Sequence, residues 1–286
     1  MPGIESKLKI SKGRMKEKNM LTYALIFLLT LFFTMGSVNK VKGKQEKTDL
    51  ENVTLITAYD NYGSNPELKT SWGFSCLVKI GNASVLFDVG GDSKILLSNL
   101  EKLHIDPKEI DLVVLSHIHG DHVGGLEGLL EVNPKVTVYL PRSFPASFKQ
   151  KVTSYGAKVI EVSSPTQISE GIYSTGELGV WIKEQSLIVK TEKGLVVITG
   201  CSHPGIVTIL KKVKKLHHEE IFLVLGGFHL SGASNPELRG IIKDFRELGV
   251  EKVAPSHCSG DRTRELFKEE YGADFIANGV GKVICI

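Results

Sequence analysis

The sequence is poor in cysteine and tryptophan, with four cysteines and two tryptophans among 286 residues. No two cysteines form a Cys-x-x-Cys pair, which excludes a structural zinc ribbon, and the length excludes a small disulfide-stapled protein. A Gly-x-x-x-x-Gly-Lys-Ser/Thr loop and a Gly-x-Ser-x-Gly turn are also missing, which argues against an NTPase and a serine hydrolase. With 42% hydrophobic residues, the chain is long and apolar enough for one large α/β domain or two small ones.

Basic residues are unevenly distributed along the chain. The formal net charge is +3, but residues 1–44 hold nine basic and two acidic side chains. This leaves 26 basic and 30 acidic side chains, a net charge of −4, in residues 45–286. A nucleic-acid-binding domain would be expected to carry a basic surface. We therefore expect no nucleic-acid partner for the body of the chain.

Charged residues are absent between Lys18 and Lys40, where the sequence is almost wholly apolar. Such a run is long enough for a helix that crosses about 30 Å of hydrocarbon. We predict a basic tail at 1–19, a membrane segment or signal peptide at 20–39, a linker at 40–51 and a catalytic domain at 52–286. An anchor is favoured over a signal peptide, because the run is long and no Ala-x-Ala cleavage site follows it.

The lysines before the apolar run favour a cytoplasmic N-terminus, which places the body outside the cytoplasm. The protein is then membrane-anchored, or secreted if the segment is cleaved. Lysines that follow the run weaken this prediction. A cytoplasmic body follows if translation starts downstream of the apolar run or if the topology is inverted.

From residue 52 onward, short β-branched runs alternate with helical patterns. A strand-rich stretch followed by strand–helix alternation occurs twice, which predicts two α/β halves packed sheet against sheet. A hairpin is expected at Gly81-Asn82, a helix capped by Asp92, and a second helix over 124–132.

Three of the nine histidines lie in one short motif, His117-Ile118-His119-Gly120-Asp121-His122, directly after an apolar strand. Alternate side chains of an extended loop can point the same way, so His117 and His119 can share one ion. Asp121 and His122 can then face a second ion. Neutral imidazole and carboxylate suit divalent first-row metals, and this density of ligands favours metal binding over a merely hydrogen-bonded polar loop.

Three later segments, at 199–205, 226–230 and 256–261, each place a histidine after a short apolar strand. Their histidines are His203, His229 and His257. Histidine at four separate strand ends is what a cleft built from loops requires. We expect His203 and His257 to bind metal, and His229 to contact metal or substrate, with a structural role as the alternative.

Together with Trp72-Gly73-Phe74-Ser75 and Leu86-Phe87-Asp88-Val89-Gly90, these motifs resemble the metallo-β-lactamase superfamily over about residues 52–286. The resemblance is strongest to a branch that contains archaeal dihydropterin–ribofuranosylaminobenzene phosphate synthases and proteins called metal-dependent hydrolases. It implies an α/β fold, an αβ/βα four-layer sandwich with a metal cleft at one sheet edge. It also implies that Asp88 orients a ligand histidine, and that Asp121 accepts or orients the proton of a metal-bound water.

Cys201 departs from the superfamily pattern. Most members carry a third histidine between the first motif and a bridging aspartate, but no histidine occurs between His122 and His203, and Cys201 stands where that aspartate is expected. Either His203 supplies the missing ligand, or the second metal site is weak or absent. A thiolate at Cys201 would favour Zn²⁺, with Mg²⁺ or Mn²⁺ as the alternatives, whereas a buried neutral thiol would bind nothing.

Three functions are compatible with these residues. The first is a metal-dependent hydrolase that uses a metal-bound water on a small-molecule substrate. The second is a transferase that consumes dihydropterin pyrophosphate, and the third is a non-enzymatic metal or ligand sensor. The predicted membrane segment favours the hydrolase, because cofactor synthesis belongs in the cytoplasm. Trp72 and Phe228 could stack on a flat substrate ring, although core positions are favoured for both.

Overall fold

The computed structural model describes residues 52–286, so the predicted tail, membrane segment and linker lie outside the described residues. The strands are β1 Val53–Tyr59, β2 Ser75–Ile80, β3 Ala83–Phe87, β4 Leu112–Val114, β5 Thr137–Pro141, β6 Lys158–Val162, β7 Thr166–Ser169, β8 Ile172–Ser174, β9 Leu187–Thr191, β10 Gly194–Thr199, β11 Ile221–Gly227, β12 Lys252–Ser256 and β13 Val283–Cys285. The helices are α1 Ser93–Lys102, α2 Gly120–Val123, α3 Leu126–Val132, α4 Ala146–Ser154, α5 Ile206–His217, α6 Asn235–Glu247 and α7 Asp261–Tyr271. None of these helices is both long and apolar enough to cross a membrane.

The strands form two sheets. The first has the order β13-β1-β2-β3-β4-β5-β6, antiparallel from β13 to β3 and parallel from β3 to β6. The second has the order β12-β11-β10-β9-β8-β7, with β10, β11 and β12 parallel. Each sheet therefore contains a parallel block whose connections are long enough to include helices.

Apolar side chains form three cores, which define four layers. The middle core lies between the sheets and joins Val78 and Phe87 of the first sheet to Leu187 and Ile198 of the second. A second core packs α1, α3 and α4 on the outer face of the first sheet. A third packs α5, α6 and α7 on the outer face of the second sheet. The predicted αβ/βα four-layer sandwich is thus confirmed over the described residues.

The structure differs from the predicted elements in places where local sequence is a weak guide. Instead of one helix over 124–132, α2 begins inside the His/Asp motif and α3 starts only at Leu126. Strands β7 and β8 and helix α4 were not predicted, because β7 and β8 are short and α4 buries a single side chain, Val152. Phe228 is a core residue, as expected, but the core position predicted for Trp72 is wrong, since its side chain is 56% exposed.

Candidate metal centre

The ends of five strands bring the predicted site residues to one edge of the molecule. Asp88 follows β3 and His117 lies just beyond β4 in the first sheet, while Cys201, His229 and His257 follow β10, β11 and β12 in the second. These five strands all belong to the parallel blocks, and the carboxyl ends of parallel strands share one edge of a sheet, where α/β proteins usually bind ligands. Both sheets therefore contribute to the same site.

Three histidines form the first group of potential ligands. Nε2 of His117 lies 3.1 Å from Nδ1 of His119 and 3.3 Å from Nε2 of His203. With zinc–nitrogen bonds of about 2.0–2.1 Å, two nitrogens on a tetrahedral ion lie about 3.3 Å apart. The observed spacing is therefore compatible with a zinc ligand set, and His203 lies where it could complete that set.

Asp121, His122, Cys201 and His257 form the second group. Sγ of Cys201 is 3.1 Å from Nε2 of His122 and 3.5 Å from Nε2 of His257. Oδ2 of Asp121 is 3.3 Å from Nε2 of His257 and 3.6 Å from that of His122. A tetrahedral zinc site requires about 3.6 Å between sulfur and nitrogen and about 3.3 Å between nitrogen and oxygen. These four side chains therefore fit a divalent ion.

Cys201 belongs to a third group as well, with His203 and His229. The exposed His229 ring lies 4.5 Å from the His203 ring, centroid to centroid. Cys201 thus stands between the first two groups, and His229 borders the open side. The structure brings every predicted ligand into these groups: His117, His119, Asp121, His122, Cys201, His203, His229 and His257.

Asp88 fixes the orientation of two ligand histidines. Its Oδ2 accepts hydrogen bonds from Nδ1 of His122 at 2.7 Å and from Oγ of Ser116 at 2.7 Å, and its Oδ1 accepts from the Ser116 N–H at 2.6 Å. Because the Ser116 hydroxyl donates to Asp88, it accepts from Nδ1 of His117, 2.9 Å away. Both imidazoles therefore direct Nε2 towards the centre, which is the arrangement of metal-bound histidine.

His257 is oriented by two residues that the sequence did not indicate. Its Nδ1 donates to Oδ1 of Asn61 at 3.0 Å, and its backbone N–H donates to Oδ1 of the buried Asp60 at 3.3 Å. Asn61 also donates to the His257 carbonyl at 3.3 Å. These contacts span almost 200 positions of sequence and so leave no local signal. They again leave Nε2 free to face Cys201.

Glu184 holds the backbone of the ligand loop that follows β10. Its Oε1 accepts from the N–H groups of Cys201 at 3.0 Å and Ser202 at 2.8 Å, and its Oε2 accepts from that of His203 at 2.8 Å. Burial raises the pKa of Glu184 to about 6, against the effect of these donors. Nothing in the sequence around Glu184 marked this role.

The titration behaviour of the histidines suits metal binding. Burial lowers the pKa of His117, and burial together with neighbouring imidazoles lowers that of His203 to about 4. Both rings are therefore neutral at neutral pH and keep a lone pair for an ion. Burial opposes the charged form of His122, but the Asp88 carboxylate outweighs it and raises the pKa. A metal ion would replace that proton.

Strained backbone is concentrated at the same place. Six non-glycine residues of the described chain have positive φ, and four of them belong to the centre: Asp88 at 55°, Ser202 at 66°, His229 at 54° and His257 at 49°. Such conformations cost about 1–3 kcal/mol each for most side chains and cluster at functional sites. The strain supports a site built for binding.

We expect Glu184→Gln to lower the zinc affinity of the His117–His119–His203 group by about tenfold. The glutamine oxygen can replace Oε1, but its NH₂ then faces the His203 N–H, donor against donor, so His203 loses its fixed position. Competition with a chromophoric chelator measures the affinity. The exposed Glu192→Gln is the matched control, and equal zinc affinity in the two variants would contradict this role for Glu184.

Comparisons with known proteins agree with this geometry. A family model for the metallo-beta-lactamase superfamily matches residues 73–214, which include the His/Asp motif and the Cys201 loop. The 7,8-dihydropterin-6-methyl-4-(beta-D-ribofuranosyl)-aminobenzene-5'-phosphate synthase of Methanocaldococcus jannaschii is 30% identical, over 82% of this chain and 97% of the synthase. An uncharacterised protein of the same organism is 33% identical, over 75% of this chain and 93% of that protein.

A solved structure is similar over the same region. The crystal structure of Tm1679, described as a metal-dependent hydrolase of the beta-lactamase superfamily, matches with a TM-score of 0.68 at 31% identity. The match covers 81% of this chain and 98% of Tm1679. These relatives cover three quarters or more of this chain, and the names of the synthase and of Tm1679 point to different reactions.

Proposed function

Because the chain belongs to the metallo-beta-lactamase superfamily, we propose that it is a metal-dependent hydrolase of a small-molecule substrate. The observation that carries the proposal is the access of solvent to the ligands. His119, Asp121 and His203 are partly exposed and His229 is exposed, while His117, His122, Cys201 and His257 are buried. One side of the centre is therefore open to water, as hydrolysis requires.

The donor set determines which ions suit the centre. Imidazole, carboxylate and a Cys201 thiolate together favour Zn²⁺ over Mg²⁺ or Mn²⁺, because thiolate is a soft ligand. One or two such ions would polarise the bond to be cleaved and lower the pKa of the attacking water. The residues described above would hold two adjacent ions, one at His117, His119 and His203 and the other at Asp121, His122, Cys201 and His257.

Asp121 is the residue proposed to move the proton. Burial opposes its ionisation, but hydrogen bonding from His257 and the charge of His122 outweigh burial and lower its pKa, so the carboxylate is charged at neutral pH. Oδ2 faces the two histidines, and the side chain is 22% exposed. The second oxygen can therefore accept a proton from water on the open side.

His229 is proposed to contact the substrate. Its ring is exposed beside His203, so it borders the space that a substrate would enter.

The apolar segment at 20–39 supports a body outside the cytoplasm, where a hydrolase fits better than a step of cofactor synthesis.

A second candidate is the transfer that joins a dihydropterin to a ribofuranosylaminobenzene phosphate. The observation in its favour is the 30% identity that extends over 97% of the Methanocaldococcus synthase. In that reaction the centre would stabilise a departing pyrophosphate, and activated water would be harmful. Such a transferase needs a closed, dry cleft, which the partly exposed ligands do not favour.

A metal-supplemented substrate screen of the full chain separates these functions. Phosphodiesters, lactones and thioesters are tested beside dihydropterin pyrophosphate with its aromatic acceptor. We expect hydrolysis in the first set and a loss of about a hundredfold or more in Asp121→Asn. Asp106→Asn is the matched control, because asparagine can also cap the short helical turn after Asp106. Turnover of dihydropterin pyrophosphate with its acceptor, and of none of the phosphodiesters, lactones or thioesters, would contradict the proposed hydrolase.

A further inference from the structure

Large apolar side chains are exposed at only four positions of the described chain. The residues are Trp72 at 56%, Val180 at 79%, Trp181 at 95% and Val283 at 47% exposed. Three of these four lie on loops that contact the ligand residues, and only Val283, on β13, does not. Single exposed apolar residues are ordinary, but an exposed aromatic ring on a loop that holds potential metal ligands is a candidate for substrate contact.

Val180 and Trp181 form the tip of a loop that is tied to the ligand loop. Leu178 and Glu184 close it with two backbone hydrogen bonds of 2.8 and 3.0 Å, and Nζ of Lys183 donates to the Gly179 carbonyl at 2.6 Å. The base of this loop is Glu184, whose carboxylate holds the N–H groups of Cys201, Ser202 and His203. The loop that carries the exposed indole is thus fixed at its base to the backbone of Cys201, Ser202 and His203.

The approach of the loop to the centre is direct. A Cβ on Gly179 would lie 3.4 Å from Cγ of Pro204, the residue that follows the ligand His203. At the other end of the centre, the Trp72 ring lies 4.9 Å from the ring of His257, centroid to centroid. Trp72 therefore lies against the second ligand group, and Trp181 lies on the loop that adjoins the residue after His203.

We propose that the substrate carries a planar aromatic or heteroaromatic group, and that Trp181 binds this group beside the metal centre. The inference rests on the proposed metal-dependent hydrolysis and names the class of substrate. A planar ring gains stacking on an indole that an aliphatic group of equal size does not. Val180 supplies apolar contact at the edge of the same tip.

The test uses zinc-loaded full-length chain and ligands that anchor to zinc through one common group. Binding of 2-naphthohydroxamate, its fully saturated decalin counterpart and acetohydroxamate is measured by calorimetry. We expect the naphthyl compound to bind about tenfold more tightly than the saturated one. Trp181→Ala should abolish this preference and leave acetohydroxamate binding unchanged, whereas Val283→Ala should retain both.

Fluorescence gives a second readout that does not depend on turnover. In Trp72→Phe the only indole left is that of Trp181, and we expect naphthohydroxamate, but not acetohydroxamate, to quench its emission. A ring preference that survives in Trp181→Ala overturns the proposal. The proposal is also overturned if Trp181→Ala retains the preference for the naphthyl ligand and instead loses self-association or binding to phosphatidylglycerol vesicles. If acetohydroxamate also fails to bind wild type, the metal-dependent function itself is wrong, and this inference falls with it.

Discussion

Replacing Cys201 with alanine is expected to lower zinc affinity by about a hundredfold or more, with a matching loss of hydrolysis. Cys201 belongs to two of the ligand groups, as His203 does, and its Sγ lies 3.1 Å from Nε2 of His122 and 3.5 Å from Nε2 of His257. Changes in residues that only support a ligand typically cost 10- to 100-fold, so the loss of a direct and shared ligand should reach at least the upper limit.

Two further variants make this prediction specific. Cys201→Asp restores an anionic donor of harder character, so we expect metal binding to recover with a preference shifted from Zn²⁺ towards Mn²⁺. Cys285→Ala is the control, because Cys285 is exposed on β13. Metal content and competition titrations measure both effects. Zinc affinity within about threefold of wild type in Cys201→Ala would show that Cys201 is the buried neutral thiol of the alternative hypothesis.

Asp88→Asn is expected to lower zinc affinity by about 10- to 100-fold and the free energy of unfolding of the metal-free protein by about 1–3 kcal/mol. Asp88 is fully buried and accepts three hydrogen bonds, two on Oδ2 and one on Oδ1. An asparagine can place its oxygen at only one of these positions. Its NH₂ then faces either the Ser116 N–H or the Nδ1–H of His122, and one buried donor loses its acceptor.

The backbone does not account for this effect. Asp88 has φ of 55°, a conformation that asparagine tolerates, so the substitution removes the carboxylate without adding strain. Denaturant unfolding and chelator competition measure the two losses. Asp92→Asn is the control, because Asp92 caps α1 and asparagine caps helices equally well. If Asp88→Asn matched this control in zinc affinity, Asp88 would have no part in orienting His122.

The gathering of potential ligands could be predicted because much of its signal is local. His117, His119, Asp121 and His122 occupy six consecutive positions after an apolar strand, and side chains of these types rarely gather there without a metal or catalytic role. The layered architecture was predictable for a similar reason, since the strand and helix patterns repeat along the chain. His203 was one of two alternatives, and the structure places it in the first ligand group.

The supporting residues could not be predicted, because their partners lie far along the chain or are backbone groups. Asn61 meets His257 across 196 positions, and Glu184 binds three N–H groups, which every sequence contains. Trp72 was assigned to the core because a large apolar ring is usually buried. The Trp72 indole instead lies 56% exposed against the ring of His257.

The two sheets supply the ligands in equal parts: His117, His119, Asp121 and His122 follow the first sheet, and Cys201, His203, His229 and His257 follow the second. Contacts within the groups join residues 79 and 86 positions apart. A bound ion would therefore act as a reversible cross-link that closes long loops in the chain. Because the ion would bind the folded chain and not the unfolded one, its binding free energy would add to the free energy of unfolding. Removal of the metal by a chelator would then do more than abolish activity, because it would also remove the cross-link between the two halves of the sandwich and lower the stability of the fold.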